Sequence, residues 1–436
     1  MDFFNVQGGS IRCEGVALSA IARAAGTPCF VYSRRTIEHH YDRIVEAFPG
    51  VDLLPCYSVK SNASLAVLDV LNRKGSGFDV VSGGELGRAL RAGADPKRVV
   101  FAGVGKSAEE MRAGLDAGIL MFNVESPAEL DLLEKVARAR RRVADIALRV
   151  NPDVDPKTHT YISTGKRESK FGIDLEAAAV LAAGLPRRKW LRMVGAHAHI
   201  GSQITQVGPH VEAVGKVIAF ALAARSAGNP VTTLNAGGGF GAHYRPGEAR
   251  PAKEFGDALV PLVRRAGLRL LLEPGRFIVG NAGVLIAKVI LVKESGDRRF
   301  VVVDAAMNDL LRPALYGAHH RVWPVRAPFP ESEAESRASA AWTCDVVGPI
   351  CETGDFLARD RRLPPVKSGD LLCVYTAGAY GRVMSSNYNQ RPRAAEVMVD
   401  GRRWQVVRDR ETPEDLLRGE RPLRGASPAR RKRSRR

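Results

Sequence analysis

The sequence contains few cysteines and no paired cysteine motif. Six cysteines are scattered over 436 residues, and no two of them have the C-x-x-C spacing; they stand at positions 13, 29, 56, 344, 351 and 373. Disulfide frameworks and cysteine zinc sites show recurrent, paired spacings. The scattered pattern therefore indicates reduced thiols and favours the cytosol.

Long apolar runs are also absent. The N-terminus, MDFFNVQGGSIRCEG, has neither a basic start nor an unbroken apolar stretch, and the run 283-GVLIAKVILV-292 is interrupted by Lys288. A secretory signal needs a basic start followed by an apolar stretch, and a membrane helix needs about 20 mostly apolar residues. We therefore expect neither a signal peptide nor a membrane span.

The formal net charge of +18 raises the question of a nucleic-acid partner. Nine basic residues and one acidic residue lie between residues 418 and 436, which leaves +10 on the rest of the chain. The end of this segment, 427-SPARRKRSRR-436, contains no large apolar side chains that could be buried in a core. We therefore expect a disordered, solvated tail rather than a nucleic-acid-binding arm.

Short apolar runs that end in polar or glycine-rich residues alternate with helix-like segments, which predicts parallel strands joined by helices. Eight consecutive units favour a closed (β/α)₈ barrel over an open doubly wound sheet, which also shows such alternation. The predicted strands are 53–60, 77–82, 99–103, 120–126, 145–152, 193–202, 232–239 and 269–276.

One of the predicted helices shows how the segments between the strands are read. Leu130, Leu133, Val136 and Ala137 fall on one helical face. The segment begins 126-SPAE-129, in which the serine is the predicted N-cap and the glutamate occupies the capping-box position.

After Gly280 the pattern becomes β-rich, with runs at 284–294, 299–305, 371–379 and 396–408. We therefore predict two domains and a tail. The barrel spans 28–280, a second all-β domain combines 1–27 with 281–417, and 418–436 is the tail. The polar stretch 325–340 is predicted to be an exposed loop.

In a (β/α)₈ barrel the chemistry lies at the carboxyl ends of the strands, so polar residues at these ends should converge. Lys60 follows the first strand, where a lysine can form a Schiff base with a carbonyl cofactor, although most such lysines only reach solvent. The run 235-NAGGGFG-241 can surround a phosphate with backbone N–H groups, and Ser202 adds a donor. A tight strand-to-helix turn explains the same glycines equally well.

Glu273 and Arg276 stand in 272-LEPGR-276, where the carboxylate suits a protonated pyridine nitrogen and the arginine suits a substrate carboxylate. An ion pair between the two is the alternative. His199 could stack on a planar ring, and with His197 it could instead ligate a metal, but no further His/Cys cluster supports a metal site.

Two residues of the predicted second domain carry possible chemistry. Cys351, in the turn-prone 349-PICETGD-355, could deliver a proton to a carbanion, although burial is the commoner role of a thiol. Tyr380, in 377-AGAYG-381, could bind phosphate or substrate, or fill a domain interface.

Taken together, the motifs over residues 28–410 resemble the diaminopimelate decarboxylase family, within the barrel-type group that includes ornithine and arginine decarboxylases. The motifs are 57-YSVKSN-62, 78-FDVVSGGEL-86, 149-RVNPDVDPKTHTYISTGKRESKFGI-173, 197-HAHIGSQ-203, 237-GGGFG-241, 273-EPGR-276, 349-PICETGDF-356 and 375-YTAGAYGRVMSSNYNQRPR-393. The stretch 157–173 separates this family from ornithine decarboxylases.

The resemblance implies an alanine-racemase-like enzyme (fold type III) that binds pyridoxal 5'-phosphate and decarboxylates meso-2,6-diaminopimelate to L-lysine, the last step of lysine biosynthesis. It implies Lys60, Cys351 and His199 as catalytic residues, with Cys351 as proton donor. The implied cofactor-binding residues are Lys60, Asp79, His199, Ser202, Gly238, Gly239, Glu273, Gly275, Arg276 and Tyr380. The implied substrate-binding residues are Arg276, Arg312, Tyr316, Glu352 and Tyr380.

In this family Cys351 and Glu352 reach the active site from the partner subunit, so the resemblance also implies a homodimer with shared active sites. Arg276 and Arg312 suit a substrate that keeps a distal carboxylate, which ornithine lacks. Two alternatives stay open, namely a related decarboxylase acting on carboxynorspermidine, arginine or ornithine, and a catalytically silent homologue. The presence of both Lys60 and Cys351 argues against the silent homologue.

Overall fold

The computed structural model describes residues 3–155, 170–326 and 342–423. Most of the family-specific stretch 157–173 and most of the predicted loop 325–340 lie outside the described residues. The end of the basic tail, 424–436, lies outside them as well.

The N-terminal residues form a small antiparallel sheet followed by one helix and one strand. The elements are β1 (Phe4–Gln7), β2 (Ser10–Cys13), β3 (Val16–Ala17), α1 (Leu18–Ala25) and β4 (Cys29–Ser33). Strand β2 pairs with both β1 and β3. The N–H groups of Ile11 and Gly15 donate to the carbonyls of Val325 and Gly401, at 2.9 and 2.8 Å. These bonds attach the N-terminal sheet to the second half of the chain.

Eight parallel strands among the described residues close into a barrel, which confirms the predicted architecture. They are β5 (Leu53–Ser58), β6 (Gly77–Val80), β7 (Val99–Phe101), β8 (Met121–Val124), β9 (Ala144–Asn151), β11 (Leu191–His197), β12 (Thr233–Asn235) and β13 (Arg269–Leu272), with β10 (Ile173–Asp174) paired to the end of β9. The ladder runs from β5 through β9 to β13, and β13 pairs back to β5. Each strand ends earlier than predicted, so most of the predicted site residues lie on the loops that follow.

Helices alternate with the barrel strands, starting with one that precedes β5, and cover them. They are α2 (Arg34–Ala47), α3 (Leu65–Arg73), α4 (Gly83–Arg91), α5 (Ala108–Ala117), α6 (Pro127–Arg140), α7 (Leu175–Gly184), α8 (Gly208–Ser226), α9 (Ala252–Ala266) and the single turn α10 (Arg276–Val279). The main apolar core fills the layer between the barrel strands and the helices and continues into the second sheet. A separate cluster on the opposite strand face fills the barrel interior, made of Leu54, Cys56, Val100, Met121, Ala147 and Leu271.

Helix α6 confirms its predicted face but not its predicted capping box. The four predicted apolar residues are buried, and Ser126 Oγ accepts the Glu129 N–H at 3.1 Å. The Glu129 carboxylate does not return to Ser126. It accepts the Glu125 N–H at 3.0 Å and a buried lysine, Lys106, at 2.6 Å. A buried ammonium needs a negative partner, so the Glu129 carboxylate pairs with Lys106 instead of completing the capping box with Ser126.

The second domain is built mainly of strands, as predicted. Its elements are β14 (Gly283–Ser295), β15 (Arg298–Val303), α11 (Arg312–Tyr316), β16 (Val322–Pro324), β17 (Trp342–Val347), β18 (Phe356–Leu363), β19 (Leu371–Val374), β20 (Ala395–Asp400), β21 (Arg403–Arg408) and α12 (Pro413–Leu416). Strand β14 links the sheet because it pairs with β4, β15 and β19.

The structure corrects the predicted boundary at residue 28. Strand β4 lies between β14 and β20 in the second sheet, antiparallel to β14 and parallel to β20, although residues 29–33 were assigned to the barrel. All five of its residues are buried, so the strand needs a partner on each edge and cover on both faces. The chain therefore enters the barrel layer only with α2.

No helix among the described residues combines the length and the apolar character needed to cross a bilayer.

A pair of helical glycines tests the packing of the helix layer. A Cβ at Gly256 in α9 would collide with the Ala47 carbonyl oxygen of α2, whereas a Cβ at Gly215 in α8 would meet nothing within 4 Å. We expect Gly256→Ala to destabilise the protein by about 2 kcal/mol through overpacking. The control Gly215→Ala should stabilise it by about 0.5–1 kcal/mol. Thermal unfolding of both variants measures this, and equal midpoints would contradict the packing argument.

Candidate functional site

Seven of the fourteen predicted site residues line one cavity at the carboxyl ends of the barrel strands. Its volume is about 310 Å³, and its walls are formed by Lys60, His199, Ser202, Gln203, Tyr244, Glu248, Arg276, Arg312, Tyr316, Ala318, His319 and Tyr380. Lys60 also lines a larger, strongly charged cavity of about 930 Å³ beside the C-terminal strands. The smaller cavity brings Lys60 and the two predicted arginines together.

Lys60 lies in a single helical turn, Val59–Ser61, directly after β5. Its Nζ contacts Asp79 Oδ2 at 2.9 Å, and the Ser58 hydroxyl donates to the same oxygen at 2.7 Å. Burial lowers the pKa of Lys60, but the charges of Asp79 and Glu273 outweigh it and raise the pKa above its usual value. Asp79 Oδ1 is buried without a hydrogen-bond partner among the described residues. The lysine is therefore held as a cation beside a carboxylate that can accept a further bond.

Glu273 follows β13 and is almost fully buried. The side-chain amides of Asn235 and Asn123 donate to its Oε1 at 2.7 and 3.2 Å, and His197 Nε2 lies 3.4 Å from Oε2. Burial raises the pKa of Glu273, but His197 and Lys60 lower it below its usual range. The Glu273–Arg276 ion pair considered above does not form, since the two side chains have different partners.

His199 lies in the loop just after β11, which ends at His197. The Gly238 N–H donates to its Nδ1 at 3.0 Å. Burial, Lys60 and Arg149 lower the pKa of His199 well below its ordinary value. The ring is therefore neutral and lines the cavity as a flat, weakly polar surface. His197 lies instead against Glu273.

The glycine run forms a close backbone cradle after β12. Gly237 and Gly239 have φ values of +67° and +103°, and Cβ atoms there would meet the carbonyls of Ala198 and Gly201 at 2.5 and 2.6 Å. A Cβ at Gly238 would collide with the Glu273 carbonyl oxygen. The next helix, α9, begins only at Ala252, so the strand-to-helix turn does not explain these glycines.

Two arginines form one wall of the cavity. Arg276 donates through Nε and Nη2 to Ser202 Oγ at 3.2 and 3.0 Å, and its guanidinium carbon lies 4.7 Å from the ring centroid of Tyr380. Arg312 Nη1 donates to His320 Nε2 at 2.9 Å. Burial lowers the pKa of both Arg312 and His320. The neutral histidine accepts from Arg312 while its Nδ1–H donates to the Tyr375 carbonyl at 2.9 Å.

Tyr380 has a left-handed backbone with φ +56°, and its N–H donates to the Ser61 carbonyl at 2.8 Å. This bond connects the second domain to the turn that carries Lys60. Gly275 is also tightly fitted, because a Cβ there would lie 3.0 Å from Ser58 and Ser61 side-chain atoms. Both residues belong to the predicted site and are packed closely around Lys60.

Cys351 and Glu352 do not line the Lys60 cavity of their own chain. Cys351 is exposed, whereas the other five cysteines are buried. Its N–H donates to Asn389 Oδ1 at 2.8 Å, and the Asp355 carboxylate accepts the Ile350 N–H at 2.8 Å. These contacts hold the turn in a defined shape and leave the thiol at the surface.

The sequence prediction missed several polar residues of the site. Asn123 and Asn235 lie at the carboxyl ends of β8 and β12, and their strand-end positions were a usable signal. Tyr244 and His320 lie in irregular segments without a motif. No group of three or more His, Cys, Asp or Glu side chains within 3–155, 170–326 and 342–423 is arranged to hold a metal ion.

Comparison with known proteins places this site in a family. Residues 34–280 match the family model described as "Pyridoxal-dependent decarboxylase, pyridoxal binding domain". The chain is 48% identical to the diaminopimelate decarboxylase of Pseudomonas aeruginosa over 96% of this chain and 99% of that protein. It is 45% identical to that of Aquifex aeolicus over 94% and 95%. This chain belongs to the diaminopimelate decarboxylase family.

A solved structure agrees with this membership. The diaminopimelate decarboxylase of Helicobacter pylori, complexed with L-lysine, superposes with a TM-score of 0.87 at 38% identity, covering 92% of this chain and 98% of that chain. The family resemblance drawn from the motifs is therefore confirmed, and with it the barrel fold type.

The residues present fit pyridoxal phosphate, the cofactor of this family. The donor set contains a lysine for covalent attachment, a buried charged carboxylate and a glycine cradle that Cβ atoms would fill. The unpaired Asp79 Oδ1 provides a buried acceptor beside the lysine. Each part matches a functional group of the cofactor.

The Lys60–Asp79 pair predicts a measurable change in lysine reactivity. Asp79→Asn removes the nearest negative charge, so the pKa of Lys60 should fall by about one unit or more. Acetylation of Lys60 in cofactor-free protein, followed by mass spectrometry at mildly alkaline pH, should then be faster by about tenfold. The control Ser58→Ala keeps the carboxylate and should change this rate little. An unchanged rate in Asp79→Asn would refute the charge argument.

Proposed function

We propose that this chain decarboxylates meso-2,6-diaminopimelate to L-lysine and carbon dioxide with pyridoxal phosphate as cofactor, the last step of lysine biosynthesis. The observation that carries the proposal is one cavity of about 310 Å³ that is lined by Lys60 together with Arg276 and Arg312. A lysine that can attach the cofactor covalently suits an amino-acid substrate, and two guanidinium groups suit a substrate that retains a second carboxylate.

Lys60 would hold the cofactor covalently, and Asp79 would support the charge at that nitrogen. The backbone of Gly238, Gly239, Gly275 and Arg276, with Ser202 and Tyr380, would surround the phosphate. Glu273, held as a carboxylate by two asparagines, would keep a proton on the pyridine nitrogen, and neutral His199 would lie against the ring. When bound, pyridoxal phosphate provides an electron-withdrawing ring that stabilises the electron pair left by the departing carboxylate.

The reaction breaks the bond between the substrate carbon and one carboxylate, and the carbon then needs a proton. Cys351 is the proposed donor, and its thiolate would recover a proton from solvent. Its exposed position, away from the Lys60 cavity of its own chain, supports delivery from a second subunit. We therefore propose a homodimer in which Cys351 and Glu352 complete the partner's site.

Substrate choice follows from charge. Arg276 and Arg312, with Tyr316 and Tyr380, would bind the carboxylate that remains, and Glu352 would bind the distal ammonium. Ornithine has no distal carboxylate to use these arginines. Arginine and carboxynorspermidine remain the comparison substrates, and a catalytically silent homologue is the alternative outside the decarboxylases.

The cytosol is the proposed location. Five of the six cysteines are buried free thiols, and none of the six is in a disulfide. Free thiols in this number are typical of a reducing compartment.

The substrate assignment is tested by product analysis. Purified protein with pyridoxal phosphate should release carbon dioxide and lysine from meso-diaminopimelate, and should release little from ornithine, arginine or carboxynorspermidine. Lys60→Ala should lose both the absorbance of the bound cofactor and the activity. Turnover of a different substrate would overturn the charge argument, and an active, yellow Lys60→Ala protein would overturn the lysine assignment.

Shared active sites are tested by mixing two defective subunits. Lys60→Ala and Cys351→Ala homodimers should each have little activity, because each lacks one group in both sites. In an equal mixture half of the dimers are hybrids with one intact site, so activity should recover to about one quarter of the wild-type value. Mixed Lys60→Ala and Lys60→Arg subunits are the control and should stay inactive. Absence of recovery after verified subunit exchange would contradict the shared site.

A further inference from the structure

Tyr244 lies between the two arginines of the cavity wall, and neither the motifs nor the family resemblance assigned it a role. Its hydroxyl accepts from Arg276 Nη1 at 2.7 Å. The guanidinium carbon of Arg312 lies 4.4 Å from the centroid of its ring, and that of Arg276 lies 5.8 Å away. One side chain therefore contacts both cations through two different interactions.

The two guanidinium groups need such a contact, because they are like charges held close together in a buried wall. Arg276 and Arg312 are only 7% and 6% exposed. Burial lowers the pKa of Arg312, and the charge of Arg276 lowers it further. An aromatic face and a hydroxyl acceptor stabilise both cations before any carboxylate arrives, without adding a negative charge that would compete with the substrate.

The donors left over point to a carboxylate ligand. A guanidinium has five N–H groups, and within the described residues Ser202 and Tyr244 engage Nε, Nη1 and Nη2 of Arg276. One hydrogen on each terminal nitrogen of Arg276 remains for a ligand. Among the described residues Arg312 donates only to His320, through Nη1, which leaves other hydrogens on its terminal nitrogens for a ligand. The unused donors on the two arginines match the acceptors of one carboxylate.

Tyr244 is itself fixed by its loop. Gln203 exchanges two hydrogen bonds with the backbone of Ala242, at 2.7 and 3.0 Å, and Glu248 accepts the Tyr244 N–H at 3.2 Å. The Tyr244 ring also packs edge-on against His320, at 5.4 Å between centroids. A rigid loop is required if one tyrosine is to hold two long, flexible side chains in one geometry.

We propose that Tyr244 is a specificity-determining positioning residue that holds Arg276 and Arg312 as a paired clamp for the distal carboxylate. This inference rests on the proposed function, because that substrate supplies the distal carboxylate. Tyr244 acts through the arginines, so its loss affects ligands that carry this carboxylate and spares ligands that lack it.

The test compares L-lysine, which retains the distal carboxylate, with cadaverine, which is the same diamine without it. Inhibition constants for both ligands are measured on the holoenzyme of wild type, Tyr244→Phe and Tyr244→Leu. Tyr244→Phe should weaken L-lysine by about tenfold, the scale of one charge-assisted hydrogen bond, and Tyr244→Leu should weaken it further. Cadaverine should change by less than about twofold in both variants.

Tyr41→Phe is the matched control, because it removes the hydroxyl of a buried tyrosine in α2, outside the cavity. It should leave both inhibition constants and the absorbance of the bound cofactor unchanged. Equal weakening of L-lysine and cadaverine in Tyr244→Phe, or loss of cofactor absorbance, would overturn the clamp and leave a structural role. If Tyr244→Leu does not fold, Tyr244→Phe decides alone. Failure of the wild type to decarboxylate meso-diaminopimelate would instead overturn the proposed function.

Discussion

Glu273 is a carboxylate buried at the mouth of the barrel, and a buried charge without partners costs several kcal/mol. Its partners come from three other strands. Asn123 lies near the end of β8, His197 is the last residue of β11, and Asn235 is the last residue of β12. They reach one carboxylate only if the ladder closes in the observed register. Stabilisation of the buried Glu273 charge therefore depends on closure of the barrel sheet. The same arrangement places Glu273 near Lys60 as a second negative charge besides Asp79.

The charged side chains around Lys60 form two groups, one of carboxylates and one of guanidinium groups, and each group suits one part of the proposed substrate. Asp79 and Glu273 stabilise positive charge near the lysine, and Arg276 and Arg312, which line the same cavity as Lys60, can stabilise negative charge. A zwitterionic substrate with an additional carboxylate complements this division better than a basic amino acid does. The neutral ring of His199 also lines the cavity and adds no charge to it.

The sequence predicted elements whose signals are local. The eight barrel strands and the apolar face of α6 could be located because their signals lie within short stretches of sequence. These signals are the apolar periodicity and the polar residues that follow each apolar run. Strand β4 was misplaced because its partners, β14 and β20, lie hundreds of residues later in the chain, and a short buried run does not say which sheet it joins. Tyr244 and His320 were missed for a related reason. Their importance comes from contacts with Arg276 and Arg312 across the fold, and a single residue in an irregular segment gives no periodic signal.

The position of β4 also bears on how such a protein can be divided or recombined. After the small N-terminal sheet, the polypeptide contributes β4 to the second sheet, passes through the whole barrel and returns to the second sheet. Strand β4 therefore lies between strands that come much later in the chain. A single cut cannot release the barrel from its companion without splitting the second sheet and exposing two strand edges. The barrel and the second domain therefore cannot be exchanged separately between related proteins. A recombination event that keeps both sheets intact has to transfer the two domains together.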